Sequence, residues 1–187
     1  MFEWYSLVLF VHVVAAVALV GHSLTTPISR AVLREARTVR DVGRLAAFEH
    51  RLSRWNPAIA LVLLASGVYL GSAGWWWQGW FYVSIAAWLV NSALAARIVG
   101  PGVAALAAAA DAAGDGPVPP GVDALRRSTR LAVASQVMLG ADIAILFIMM
   151  NKPTTLGSLA ILGAVTAALV ALAFLPRRQA APVLTRA

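Results

Sequence analysis

The chain contains no cysteine, so no disulfide framework, thiolate metal site or iron–sulfur cluster can be built from it. Charge is scarce: 12% of the 187 residues are charged, lysine occurs once, as Lys152, and no charged side chain lies between Arg54 and Arg97. A nucleophile with a neighbouring base, a phosphate-cradling loop and a metal-ligand motif of diagnostic spacing are all missing, which leaves enzyme chemistry without support in the sequence. The strict alternation of polarity that a membrane β-barrel needs is absent too.

What is present is apolar length. Hydrophobic residues make up 60% of the chain, and about 20 in a row suffice to cross a bilayer as a helix. Five segments qualify: 4–26, 56–71, 80–96, 131–150 and 155–175. Lipid offers backbone amides no water, so the expected fold is all-α, a transmembrane bundle of five spans forming one domain. The first apolar run follows Glu3 rather than a basic cluster and lacks a small-residue cleavage pattern, so it reads as a retained span.

Orientation follows from the arginines. All fourteen fall on one side of a five-span arrangement and Lys152 on the other, which places the N-terminus outside and the C-terminus in the cytoplasm. Six acids (Glu35, Asp41, Glu49, Asp111, Asp115 and Asp123) share the arginine side. The formal +7 is therefore an asymmetry whose natural partner is anionic lipid, not nucleic acid. Segment 30–54 carries Val32, Ala36, Val39, Val42, Leu45, Phe48 and Leu52 at helical spacing with arginines opposite, the pattern of a basic amphipathic helix at the interface. Segment 97–130 is alanine-rich, then breaks at "GDGPVPPG", and reads as a short cytoplasmic helix followed by a turn-rich linker. Trp75, Trp76, Trp77 and Trp80 crowd the turn between spans two and three, where indoles settle at headgroup level.

Polar residues inside the spans are the candidates for function. His12 lies eight residues from Trp4 and Asp142 eight from Met150, so at 1.5 Å per residue both sit about 12 Å from the outer interface. Asn91, eleven residues into span three, falls near the same layer. A charged aspartate near the bilayer centre costs on the order of 3 kcal/mol, so Asp142 should face the bundle and pair or stay protonated. Its expected partner is His12. Such a pair would fix the imidazole tautomer and prepare the other nitrogen as a heme-iron or copper ligand; the structural alternative is an interhelical hydrogen bond worth about 0.6 kcal/mol. His22 is about 15 Å further along the helix, a separate question, and with His50 it forms a weaker inner metal candidate. Met138, Met149 and Met150 lack copper-motif spacing and read as packing. Gly67 with Gly71, and Ala160, Ala164 and Ala168, read as close helix packing within the chain or in a homodimer.

The stretch "HVVAAVALVGHSLTTPISR" resembles the opening helix of a bacterial group comprising copper-resistance-D-like proteins, uncharacterised relatives and the J-type protoporphyrinogen oxidases. His12, Val20, Gly21, Pro27 and Arg30 match its pattern; Leu19 stands where tryptophan is usual and His22 where a second glycine is usual. The resemblance implies a helical bundle in the bacterial inner membrane, a functional His12, and an association with heme, porphyrin or copper. The oxidases' pattern also uses an intramembrane lysine, which this chain lacks. Three functions follow as expectations: a heme- or copper-handling, redox-associated protein acting through His12; a scaffold or accessory subunit for another membrane protein; and a proton-coupled transporter in which Asp142 titrates beside His12, Asn91 and Gln136.

Overall fold

A computed structural model describes residues 3–174 as an all-α chain. The elements are α1 (Trp4–Glu35), α2 (Val39–Ser53), α3 (Asn56–Ser72), α4 (Gly79–Leu94), a π-helical turn (Ala95–Val99), α5 (Gly100–Ala113), α6 (Pro120–Arg126), α7 (Thr129–Asn151) and α8 (Thr155–Phe174). Five helical stretches are long and apolar enough to cross a membrane, as hydropathy leads one to expect. Leu175, the limit drawn for the last span, and Arg177, Arg178 and Arg186 lie outside the described residues.

Packing follows the small residues. α1 lies against α3 and α7, while α7 also packs on α4 and α8. At Gly140 a Cβ would sit 2.7 Å from the Thr166 Cα, so α7 and α8 approach backbone to backbone. Gly67 faces the His12 ring and Gly71 faces Phe81. Ala160, Ala164 and Ala168 are exposed and point away from the bundle, so α8 packs through a different face.

The arginine-bearing end is more structured than the sequence suggests. Segment 30–54 is not one helix: α1 runs on through Pro27 to Glu35, and α2 starts afresh at Val39. Thr38 caps α2 by accepting from the Asp41 N–H at 3.2 Å, while its hydroxyl donates to the Asp41 carboxylate at 2.7 Å. The apolar face of α2 meets α5: Val39, Val42 and Ala46 join Leu33, Leu106, Ala110 and Val122 in a buried cluster. Arg126 closes this layer. Buried in α6, its guanidinium donates at 2.7 Å to the Leu33 carbonyl and at 2.7 Å to the Ala36 carbonyl, satisfying acceptors at the end of α1. At the opposite end Trp80 is buried and packs edge-on to Trp75, whose face lies 3.6 Å from the Lys152 ammonium. Trp77 is exposed.

The α4–α5 helix is continuous but changes pitch. Pro101 has no N–H, and its ring crowds the carbonyl four residues back, so the turn before it widens and the Gly100 N–H reaches the Ala95 carbonyl. That widened turn forms part of a cavity wall.

Candidate functional site

Asp142 is the centre of a small polar network in the middle of α7. Its Oδ1 accepts from Asn91 Nδ2 at 2.7 Å, and its Oδ2 accepts from the Ser23 hydroxyl. Asn91 Nδ2 also donates to the Met138 carbonyl at 3.0 Å. One carboxylate thus joins α1, α4 and α7. Ser23 lies four residues before Pro27, which cannot donate to the Ser23 carbonyl, so the helix is short of one hydrogen bond beside the acid.

This network stands in the wall of a cavity of about 580 Å³ that lies between the α1–α3 pair and the α4–α7 pair. It extends from Asp142 toward the arginine-bearing end, where Glu49 and His50 of α2 line it. Most of its wall is apolar, including Leu19, Pro57, Ala60, Trp88 and Met138, together with the π turn. Glu49 is 4% exposed, with Ser29 beside its carboxylate and Arg30 supplying the nearby positive charge. Several buried atoms have no partner: His22 Nδ1, Asn91 Oδ1, Glu49 Oε1, and Arg30 Nε and Nη1.

Asn91 and Asp142 therefore come together, and His12 does not join them. Its Nδ1 lies 3.0 Å from Ser66 Oγ in α3. The reason is register. From Trp4 to Ser23 is nineteen residues, about 28 Å of helix, whereas Asp142 to Asn151 is nine, about 14 Å. The ends of α1 and α7 remote from the arginines are not level, so a depth counted from each end misplaces one against the other. His22 and His50 both line the cavity, as do Ser135 and Met138 of α7, and the half-buried Gln136 is not among its lining residues. Among the described residues, no three histidine or acidic side chains gather as a metal-binding group.

Sequence reasoning passed over Ser23, Glu49 and the π turn. Ser23 and Thr26, three apart and followed by Pro27, were a legible polar stripe in an apolar run. Glu49 was counted only as one acid of a basic segment. A family model described as "Predicted integral membrane protein (DUF2269)" matches residues 6–153. No curated protein and no solved structure matches the chain.

Proposed function

We propose, from the premise that this chain belongs to the DUF2269 family of integral membrane proteins, that it binds a small amphipathic molecule within the membrane and exchanges a proton at Asp142 as that guest enters and leaves. One observation carries the reading: the sole acid of the five apolar segments stands in the wall of a cavity of about 580 Å³. An aspartate at that depth costs on the order of 3 kcal/mol, whereas interhelical hydrogen bonds in membranes return about 0.6 kcal/mol each. At that average, two such bonds fall short of the cost. The reading accounts for that cost by the use of the proton.

The network has the parts for that use. A proton arriving on Oδ2 reverses the Ser23 contact: the acid donates, the Ser23 oxygen accepts, and the Ser23 hydrogen turns to a carbonyl one turn back. Asn91 stays on Oδ1 throughout. The reading puts the arginine-bearing end in the cytoplasm of a bacterial cell, against anionic headgroups.

Infrared difference spectra of the protein in nanodiscs, taken between acid and alkaline pH, test this. One carboxylic-acid carbonyl band should vanish in Asp142→Asn and shift when Ala60→Phe partly fills the cavity. Absence of the band from wild type, or a band indifferent to Ala60→Phe, ends the reading.

A second reading keeps heme or copper at His12. The Ser66 hydroxyl lies 2.6 Å from the Val62 carbonyl, which takes its hydrogen; His12 Nδ1–H then donates to Ser66, leaving the Nε2 lone pair for a metal. His12 offers one ligand atom without Asp142 behind it, so the Asp142-supported site does not fit, and what is left requires a second ligand from another copy of the chain. Colourless, metal-free protein purified gently from heme- and copper-replete cells would remove this reading.

A further inference from the structure

The charges and empty acceptors of the cavity wall identify the kind of guest it fits. Glu49 and Asp142 both line it, and the described lining residues include neither lysine nor arginine, although arginines outnumber acids in the chain. Two deeply buried lining side chains carry acceptors without a partner. Asn91, 5% exposed, is oriented by its neighbours: Nδ2 faces two acceptors, the Asp142 carboxylate and the Met138 carbonyl, so Oδ1 is the atom left without a partner. Glu49 Oε1 is likewise unpartnered. His22 Nδ1 is buried without a partner and can donate or accept.

A guest that completes this wall brings N–H donors and positive charge at one end and apolar surface elsewhere. A quaternary cation has no donors, a hydrated metal ion has no use for Leu19, Pro57 and Trp88, and an anion meets two carboxylates. We propose that the cavity binds a protonated lipophilic amine, its ammonium reaching Glu49 and Asn91 and its body lying against Trp88 and Met138. Arg30 competes with the guest for Glu49, but it is not part of the cavity wall. This deepens the proposed function and rests on its premise that the cavity holds a guest.

Three probes of one shape separate charge from size: adamantan-1-amine, adamantan-1-ol and adamantane-1-carboxylate. Equilibrium dialysis against the full chain in zwitterionic nanodiscs, with empty nanodiscs subtracted, should give saturable binding of the amine at one per chain. The alcohol should bind at least about tenfold more weakly, the carboxylate not at all, and the N,N,N-trimethyl derivative more weakly than the amine. Glu49→Gln should cost the amine about tenfold, with Glu49→Asp recovering part of it, and both should change the alcohol's binding less than the amine's. The wild-type probe series decides the matter even where a variant fails to fold. Equal binding of amine and alcohol, or preference for the carboxylate, overturns the amine assignment while leaving a guest-binding cavity in place. Failure of every probe, together with an Asp142 band indifferent to Ala60→Phe, overturns both.

Discussion

Replacing Asp142 by asparagine distinguishes a residue that holds the bundle together from one kept for its proton. The asparagine is nearly isosteric: its Oδ1 still accepts from Asn91 and its amide donates to the Ser23 oxygen, so both present contacts have a counterpart. Were both bonds lost outright, the membrane average of about 0.6 kcal/mol each sets the cost near 1.2 kcal/mol, and the largest measured value, about 1.7 kcal/mol, sets a ceiling near 3.4 kcal/mol. Against this stands partial relief of the aspartate insertion cost, on the order of 3 kcal/mol in all, because the asparagine amide is itself polar but cannot ionise. Asp142→Asn is therefore expected to be as stable as wild type within about 1 kcal/mol, or more stable. Reversible unfolding in mixed micelles, followed by far-ultraviolet circular dichroism, measures the change, and infrared spectra of the same samples report the proton. A loss above about 2 kcal/mol would make Asp142 a structural pin and refute the reasoning.

Arg126→Ala should destabilise the arginine-bearing end by about 2–4 kcal/mol, since it removes two charge-assisted bonds to the end of α1; hydrogen exchange should show Leu33 to Ala36 opening, and an unchanged melting temperature would contradict this. Gly140→Ala forces a methyl against the Thr166 backbone and should cost about 1–3 kcal/mol, while Gly163→Ala, with open space around it, should be neutral in the same unfolding assay. The exposed Arg40–Asp115 pair, at 2.6 Å, holds the Asp115 carboxyl below its ordinary range through the Arg40 hydrogen bond. Its contribution is complete above the unfolded aspartate range and is lost as pH falls through the folded value; high salt should erase the difference between wild type and Asp115→Asn in thermal melts.

The five apolar helices were readable because hydrocarbon imposes one crude demand, about 20 consecutive residues without charge, and composition alone meets or fails it. The layer at the arginine-bearing end was not readable in the same way. Val39, Val42 and Ala46 show the same periodicity whether they rest on lipid or on Leu106 and Ala110. Arg126 looks like any solvated cation until the two carbonyls it reaches are brought to it from ninety residues away.

From sequence alone came the membrane class, the helix content and the short set of polar residues that hydrocarbon tolerates only for a reason: His12, His22, Asn91 and Asp142. Tertiary structure alone decided which of them meet, because α1 exceeds its own apolar segment and its end is not level with that of α7. Depth counted along one helix carries no information about how far another slides past it. That offset put Ser23, not His12, against the acid, sent His12 to Ser66, and left between the two helix pairs the cavity on which function is proposed to turn.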